Sequence, residues 1–476
     1  MKIPISVAEG DGIGPEIMRA TLHVLREAGA PLEIHNVEIG EKVYLKGIAT
    51  GMDPKMWDII RHTKAFLKAP ITTPQGGGFK SLNVTIRTTL GLYANVRPCV
   101  SYFPFVDTKH PEMDVVIVRE NEEDLYAGIE YRQTPDVCSS LKIISRAGSE
   151  KIIRYAFEYA RRRGRKKVTC FTKDNIMKFS DGLFHKVFDE IAQSYPDILN
   201  EHWIVDIGAA KLADTPEVFD VIVMPNLYGD ILSDVAAQIA GSVGLAGSAN
   251  IGETGSMFEA IHGSAPRRAG QNVANPSGLL LAAVQMLDHV GQPELASKIH
   301  NSWLCTLEEG IHTYDIYKEG VSKKKVGTQE FAEAVVKNLN KIPQTLKSAV
   351  YQGTVPSLAH KHVHTNPSRH LTGVDVFIYF RGRVEEFFSK ISHINVGALH
   401  LKMISNRGVK VWPQGHPETY CIEQWRCRFL SDNGKTVSQN DLIQILHAFD
   451  HVSMDVIKSE FLYTFDGKPG YSSAEG

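Results

Sequence analysis

The sequence is poor in cysteine, in long apolar runs and in signal-like features at its start. Six cysteines occur in 476 residues, at positions 99, 138, 170, 305, 421 and 427, and no two form a C-x-x-C pair. This scatter argues against a disulfide framework and predicts a reducing compartment, the cytoplasm. No apolar run approaches the ~18 residues of a spanning helix. The N-terminus MKIPISVAEGDG has neither the charge nor the apolar run of a signal or transit peptide.

The chain also lacks an excess of either charge. Its 52 basic and 54 acidic residues give a net charge of -2. A general nucleic-acid or membrane binder needs a basic surface, so we expect neither partner. The apolar fraction of 43% is typical of a folded protein. A chain of this length exceeds one hydrophobic core and predicts two or three domains.

Short apolar runs alternate with helical patterns along most of the chain. We predict strands at IPISVA, VVIVRE, KVTCFT and VFDVIVMPN, and helices at PEIMRATLHVLREAG, SDGLFHKVFDEIA and GDILSDVAAQIAG. This alternation is typical of an α/β fold. A further helix, SEKIIRYAFEYARRRG, is predicted with Ser149 as its N-cap, Gly164 at its end and an apolar stripe formed by Ile152, Ile153, Ala156, Phe157 and Ala160.

The composition changes after about Asn340. Residues 343–372 are rich in Pro, Ser, Thr and His without periodicity, which predicts a linker. It contains His360, His362 and His364, which are metal ligands in one interpretation and bystanders in the more usual one. Residues 373–476 follow a β-α-β-β-α-β order, which predicts an α+β ferredoxin-like module. We see no catalytic constellation there and expect a role in assembly or regulation.

Three arginines follow a glycine-led segment and the next strand. Arg87 and Arg97 lie in GGGFKSLNVTIRTTLGLYANVRP, and Arg119 lies in VIVREN. A guanidinium group presents a planar fork that suits carboxylate or phosphate, so the three could bind a substrate with several negative charges. Spacing alone favours the alternative, which is solvated surface arginines.

Two other segments carry candidate ligands. In NLYGDILSDVAA, Asp230 and Asp234 lie four residues apart on one helix face, where their charges repel. A hard ion such as Mg²⁺ or Mn²⁺ would offset this repulsion, whereas a cap and a surface residue are the plainer alternative. The loop FEAIHGSAPRRAGQNVANPSG is rich in small residues, and its adjacent Arg267 and Arg268 suit a phosphate. The glycines of AEGDGIGPEI are by themselves a weak signal.

Six motifs occur together in order: GDGIGPE, LKAPITTPQGGGFKSLNVTIR, RENEEDLYAGIEY, KDNIMKFSDG, NLYGDILSD and HGSAPRRAG. Over about residues 3–340 the chain resembles the β-decarboxylating dehydrogenases, and among them the isocitrate dehydrogenases. The resemblance implies the non-Rossmann isocitrate/isopropylmalate dehydrogenase fold. Its large domain would comprise 1–92 and 242–342, and its small domain 93–241, with a clasp at about 126–146 that joins two subunits. The tail after the linker resembles that of the larger bacterial members.

The resemblance implies oxidation of a 2-hydroxy acid, loss of carbon dioxide and protonation of the enolate. Its clamp on substrate carboxylates corresponds to Arg87, Arg97 and Arg119, with Asn175 beside it. Ser81 and Asn83 match the positions that read the variable end of the substrate. Their polar groups favour isocitrate over isopropylmalate, because leaving each unpaired against an alkyl group would cost ~1–3 kcal/mol. Homoisocitrate is a further alternative.

The same resemblance implies a shared metal site and a proton-transfer pair in a homodimer. Asp230 and Asp234, with Asp206 from the partner subunit, match the ligands of Mg²⁺ or Mn²⁺. Tyr126 and Lys173 match the acid–base pair, with Lys173 reaching in from the neighbouring subunit. An alternative of another class is a regulatory or RNA-binding paralogue that uses Arg161–Lys167 or the C-terminal module.

The cofactor implied by the resemblance is NADP. Members that use NADP commonly carry Lys-Tyr after HG(S/T)AP and members that use NAD carry Asp-Ile, whereas this chain has the cationic Arg267-Arg268. The other positions matching the cofactor site are Lys68, Thr73, His262, Gly263, Asn275, Tyr314 and Lys318.

Overall fold

The computed structural model describes residues 2–72, 81–353, 366–432 and 437–473. The chain divides into two compact units, one comprising 1–127 and 142–361 and the other 128–141 and 362–476. The described strands are β1 Ile3–Ala8, β2 Leu32–Asn36, β3 Ala65–Lys68, β4 Ala94–Val100, β5 Asp114–Glu120, β6 Glu130–Arg132, β7 Cys138–Ser140, β8 Lys167–Thr172, β9 Leu199–Ile204, β10 Val221–Met224, β11 Gly247–Ile251, β12 Ser256–Ala260, β13 Ile311–His312, β14 Lys324–Lys325, β15 Arg369–Tyr379, β16 Asn395–Val396, β17 Leu399–Asn406, β18 Val409–Trp412, β19 Gln424–Ser431, β20 Asp455–Phe465 and β21 Lys468–Pro469.

The described α-helices are α1 Gly14–Glu27, α2 Glu41–Leu45, α3 Met56–Thr63, α4 Leu82–Thr89, α5 Arg146–Arg162, α6 Ser180–Ala192, α7 Val205–Asp214, α8 Asn226–Ala240, α9 Ser277–His289, α10 Pro293–Glu308, α11 Thr328–Lys337, α12 Val384–Ile391 and α13 Gln439–His451. Short 3₁₀ turns at Leu125–Ala127 and Pro266–Arg268 matter for the site described below. Within these described residues, no helix is both long and apolar enough to cross a membrane.

The first unit is built on one sheet of ten described strands in the order β2-β1-β3-β12-β11-β4-β5-β10-β8-β9. Its centre is antiparallel at the pairs β12–β11, β11–β4 and β4–β5, and the outer pairs are parallel. A Rossmann sheet is mostly parallel, so this antiparallel centre confirms the predicted non-Rossmann fold. The almost wholly buried helix α9 packs on β11 and β12 and forms much of the core.

The predicted elements of this unit are confirmed, but some ends and one cap differ. Strand β10 is Val221–Met224, shorter than VFDVIVMPN, and α8 begins at Asn226, three residues before the predicted Gly229. Strands β1 and β8 and helix α6 have the predicted bounds, and the predicted apolar stripe of α5 is buried. The N-cap of α5 is Ser145 and not Ser149, because Ser145 has extended backbone and its side chain accepts from the Gly148 amide. Ser149 lies inside the helix, where its hydroxyl donates to the Ser145 carbonyl at 2.7 Å.

The second unit contains the predicted β-α-β-β-α-β module. Its main strands lie in the order β17-β19-β15-β20 with every neighbouring pair antiparallel, which is the ferredoxin-like arrangement. Strand β15 begins at Arg369, inside the segment predicted as a linker, of which residues 354–365, including the three alternate histidines, lie outside the described residues. The hairpin β6–β7 belongs to this unit and contacts the module through Thr134 and Glu423, whose side chains are 2.8 Å apart. The division of the first unit into large and small domains stays a prediction.

Candidate active site

A row of polar side chains crosses the buried centre of the ten-stranded sheet. Lys68 of β3 pairs in register with Glu259 of β12, and Asn95 of β4 pairs with both Asn250 of β11 and Arg119 of β5. Paired residues share a face of the sheet, as do residues two apart on one strand. Five strands therefore place charged and amide groups side by side where apolar side chains would normally pack.

Glu259 joins the two cations at one end of this row. Its carboxylate, 6% exposed, accepts from Lys68 Nζ at 2.8 Å, from Arg87 Nη2 at 2.9 Å and from Asn250 Nδ2 at 3.0 Å. Burial opposes ionisation, but Lys68 and Arg87 outweigh it and hold the pKa of Glu259 well below its usual value. Sequence reasoning missed this residue, although an acidic residue inside the apolar strand SMFEA is a usable signal.

Arg97 continues the row toward helix α8. Its Nε donates to Asn95 at 2.5 Å and its Nη1 donates to Ser233 Oγ at 2.6 Å. The same guanidinium lies 3.4 Å from a carboxylate oxygen of Asp230 and of Asp234. Burial and the nearby Arg87 lower the pKa of Arg97, which the two aspartates counteract.

Arg119 is fully buried at the end of β5 and is held by the start of α8. Its Nε and Nη2 donate to Asn226 Oδ1 at 3.0 and 2.8 Å, and its Nη1 forms an ion pair with Asp230. The helix approaches this closely because residue 229 is glycine, where a Cβ would lie 2.5 Å from the Arg119 side chain. These two contacts with Arg119 account for the asparagine and the glycine of the motif NLYGD, which ends at Asp230.

Tyr126 completes the network from the 3₁₀ turn at Leu125–Ala127. Its hydroxyl donates to Asp230, and the Arg119 guanidinium lies 4.9 Å from its ring centroid. Burial and the bond to Asp230 raise the pKa of Tyr126, so this hydroxyl keeps its proton at neutral pH. The three predicted arginines, both helix aspartates and Tyr126 therefore form one connected cluster.

The cluster leaves one polar donor and one polar acceptor free for a ligand. Among the described residues, the buried Arg87 Nε and Asn83 Oδ1 have no hydrogen-bond partner. Both lie on α4, and Ser81 is the N-cap residue of that helix without a capping bond from its side chain. A buried guanidinium donor without a partner is costly, so Arg87 Nε fits a ligand carboxylate. Asn83 Oδ1 is an acceptor and fits a donor group of the ligand, such as a hydroxyl.

The carboxylates of α8 fit a hard divalent ion. Asp230 and Asp234 present only oxygen donors, and the Asp234 side chain is 58% exposed toward solvent. Burial opposes ionisation of Asp230, but Arg119 and Arg97 outweigh it and lower its pKa, whereas burial and the charge of Asp230 raise the pKa of Asp234 despite Arg97. Arg97 relieves this repulsion only in part, and a bound cation would relieve it further.

Asp206 and Lys173 form a second cluster in the same unit. Lys173 Nζ lies 2.5 Å from Asp206 Oδ1, and this bond lowers the pKa of the exposed Asp206. Asn175 is exposed two residues beyond Lys173. Within the described part of one chain, no hydrogen bond or ion pair joins this cluster to Asp230 or Asp234.

Two of the residues matched to a cofactor, His262 and Gly263, lie on the loop after β12. Gly12 has a positive φ of 59°, and a Cβ there would lie 2.0 Å from the Ser264 carbonyl oxygen, so glycine lets the GDGIG turn contact the HGSAP loop. In that loop His262 Nε2 is buried without a partner among the described residues, and space beside Gly263 is open. Burial lowers the pKa of His262, so its ring is neutral near pH 7.

Exposed cationic side chains lie at and near the end of this loop. Arg267 and Arg268 are exposed, and the Arg268 guanidinium lies 4.3 Å from the Tyr314 ring centroid. Lys318 is half exposed and 2.8 Å from Asp107. These groups fit a phosphate that approaches from solvent.

The other cofactor candidates are placed differently. Asn275 is buried and bonds Asp315 at 3.0 Å, which orients the loop. Lys68 is buried in β3 and forms an ion pair with Glu259, which also pairs with Arg87. Thr73 lies outside the described residues.

The chain matches two families along its length. Residues 4–335 match the family described as isocitrate/isopropylmalate dehydrogenase. Residues 369–476 match the family described as bacterial isocitrate dehydrogenase, C-terminal domain.

Curated relatives and solved structures agree with these matches. A Rickettsia felis protein named NADP isocitrate dehydrogenase is 54% identical, with 99% of each chain covered. A crystal structure of a Thermus thermophilus protein matches with a TM-score of 0.93 and 43% identity, covering 99% of this chain and 96% of that one. The crystal structure of an isocitrate dehydrogenase from Methylococcus capsulatus matches 71% of this chain and 99% of its own, with a TM-score of 0.67 and 42% identity.

Proposed function

The chain belongs to the isocitrate/isopropylmalate dehydrogenase family, and from that premise we propose that it is an enzyme that oxidises isocitrate with NADP. The products are 2-oxoglutarate, carbon dioxide and NADPH. The observation that carries the proposal is the single network that joins Arg87, Arg97 and Arg119 to Asp230, Asp234 and Tyr126.

The charge of the cluster supports a tricarboxylate substrate. Four cations, Lys68, Arg87, Arg97 and Arg119, face three carboxylates, Glu259, Asp230 and Asp234, which leaves one positive charge. A divalent ion would raise this excess to three, which the three carboxylates of isocitrate neutralise. Isopropylmalate has only two carboxylates and places an alkyl group where polar Ser81 and Asn83 begin helix α4.

We assign the divalent ion, Mg²⁺ or Mn²⁺, to Asp230 and Asp234 with Asp206 of a second subunit. When bound there, such an ion lowers the pKa of the substrate hydroxyl and stabilises negative charge on the enolate oxygen. The arginines orient the substrate so that its β-carboxylate can leave as carbon dioxide. Their burial excludes water from these contacts and strengthens them.

Tyr126 and Lys173 carry the two proton transfers of the reaction. One proton leaves the hydroxyl when hydride goes to the nicotinamide, and another is added to the enolate carbon after decarboxylation. Tyr126 has a proton to give, because its hydroxyl is protonated and held by Asp230. Lys173, held by Asp206 in its own chain, serves the site of the partner.

NADP would supply the hydride acceptor, and Arg267, Arg268, Tyr314 and Lys318 would hold its 2′-phosphate. We expect kcat/KM with NADP⁺ to exceed that with NAD⁺ in an assay with isocitrate and Mn²⁺. Equal or greater efficiency with NAD⁺ would overturn this cofactor assignment. Replacing Ser81 and Asn83 and comparing isocitrate, homoisocitrate and isopropylmalate tests the substrate assignment in the same way.

We propose a homodimer with shared sites, because among the described residues of one chain no hydrogen bond or ion pair joins the Lys173–Asp206 pair to Asp230. Two inactive variants, Lys173→Met and Tyr126→Phe, should complement each other when subunits are mixed and exchanged. Random pairing leaves about a quarter of all sites with both residues intact, so about a quarter of wild-type activity should return. Mixing without recovery, despite verified exchange, would show that each chain builds its own site.

We also propose a cytoplasmic location and no nucleic-acid partner. All six cysteines are free, which supports the cytoplasm and is testable by fractionation. Several cations of Arg161–Lys167 are paired with carboxylates, such as Arg161 with Asp197 at 2.6 Å, which disfavours the RNA-binding alternative. That alternative predicts negligible turnover and a salt-sensitive complex with RNA.

A further inference from the structure

A second group of metal-type ligands lies outside the proposed active-site network. Asp174 follows β8, His185 lies on α6 and His202 lies on β9, and one ligand atom from each falls within 4.8 Å of the others. Across the described ranges this is the one such group of three. The side chains are only 16–26% exposed, and the two imidazole rings stack with centroids 3.5 Å apart.

We propose that this cluster binds a divalent transition-metal ion of the Zn²⁺ type, with a fourth position open to water. Two imidazoles and one carboxylate form a nitrogen-rich donor set, which such ions prefer and which the hard ion Mg²⁺ does not. The donors come from three different elements of the first unit, so a bound ion would link β8, α6 and β9.

The distances from Asp174 to the two histidines bracket those of a filled site. Tetrahedral zinc holds its ligands at about 2.0–2.2 Å, which puts ligand atoms about 3.3 Å apart. Here His185 Nδ1 lies 2.6 Å from one oxygen of Asp174, and His202 Nε2 lies 3.9 Å from the other. These separations lie on either side of the required value. Because the two imidazole rings are stacked at an interplanar angle of 16°, at least one ring must rotate before both nitrogens point at one ion.

Neighbouring side chains would both orient one ligand and compete with the ion for the ligand atoms. Asp189 Oδ2 lies 3.6 Å from the other nitrogen of His185, which is the position of an orienting carboxylate behind a ligating histidine. The Thr172 hydroxyl lies 2.8 Å from His202 Nε2, and an ion would displace this bond and the one between His185 and Asp174. We therefore expect affinity below that of a preformed structural zinc site.

The test is direct measurement of bound metal on the full-length protein. Excess Mg²⁺ is added to fill the aspartate site, and His360, His362 and His364 are replaced by Gln so that any metal binding by these alternate histidines is excluded from the count. Equilibrium dialysis with Zn²⁺ should give about one ion per chain. Substituted Co²⁺ should show the strong visible absorption of tetrahedral coordination.

The variant His185→Gln/His202→Gln should weaken binding at least about tenfold and abolish the cobalt absorption. The matched control is His35→Gln/His62→Gln, which removes another neighbouring pair whose rings are 6.4 Å apart near Glu33 and should leave binding unchanged.

Circular dichroism verifies that each variant is folded. If the double variant unfolds, the single substitution Asp174→Asn, which removes one ligand and keeps the side-chain shape, is tested in its place. Unchanged zinc stoichiometry in a folded cluster variant, or only octahedral cobalt spectra in the parent, would overturn the proposal.

Discussion

Glu259→Gln should destabilise the protein strongly, although our mechanism gives Glu259 no chemical role. The substitution keeps the shape of the side chain and removes the charge that offsets Lys68 and Arg87. Lys68 is 1% exposed, so its ammonium would be left buried beside a neutral amide. Breaking a buried ion pair by removing one partner costs about 3–5 kcal/mol.

This cost translates into a measurable shift of the melting temperature. Unfolding entropy is about 2.1 cal/mol/K per residue, or about 0.7 kcal/mol/K for a unit of roughly 350 residues. The loss of about 3–5 kcal/mol should therefore lower Tm by about 4–7 °C. Differential scanning calorimetry of the wild type and the variant at pH 7 measures the difference.

The difference should also depend on pH with a definite sign. The folded-state pKa of Glu259 lies below its unfolded value of about 4.3, so its charge stabilises the fold fully above that pH. The stabilisation is lost as pH falls toward the folded pKa. The Tm gap between wild type and variant should therefore be largest near neutral pH and shrink as pH drops below about 4.

Two comparisons isolate the buried pair. Glu253→Gln removes an exposed partner of Lys151, 3.5 Å away, and should leave Tm almost unchanged. Lys68→Met combined with Glu259→Gln should destabilise less than Glu259→Gln alone, because the stranded ammonium is gone. A Tm within about 1 °C of wild type for Glu259→Gln, or a gap that does not change with pH, would refute the reasoning.

Three further predictions concern catalysis, metal binding and assembly. Tyr126→Phe should lower kcat about 10²–10⁴-fold with little change in KM, and a loss below about threefold in steady-state assays would contradict its role as proton donor. Asp234→Asn should raise the Mn²⁺ concentration for half-maximal activity at least about tenfold, whereas an unchanged metal titration would remove it from the ligands. Truncation after Ser348 should weaken dimerisation and lower Tm, because it removes the Glu423 contact to Thr134 in the β6–β7 hairpin; sedimentation profiles and melts identical to wild type would disprove this.

Local sequence patterns predicted the elements better than the exact ends of those elements. The apolar stripe of α5 and the bounds of β8 and α6 follow from periodicity, because burial on one face constrains residue choice. The α5 cap was misplaced, since Ser145 and Ser149 are both acceptable caps and only backbone geometry distinguishes them.

The supporting side chains of the candidate site were harder to predict. Asn226 lies in a recognisable motif next to Asp230, yet its bond to Arg119 depends on a strand more than a hundred residues earlier. Glu259 was missed because its partners, Lys68 and Arg87, lie far away in the chain. Single-sequence reasoning has no information about such pairings.

The amino-acid order by itself determined the alternating α/β elements, the ferredoxin-like succession in the C-terminal module and the family to which the catalytic region belongs. These properties are encoded locally, in periodicity, glycine placement and motif order. Only the tertiary structure decided that Arg87, Arg97 and Arg119 are buried in one network and not solvated. The reason is strand order: β3, β12, β11, β4 and β5 become neighbours in the sheet although the chain visits them in another sequence, and their register alone aligns Lys68, Glu259 and Arg119 on one face.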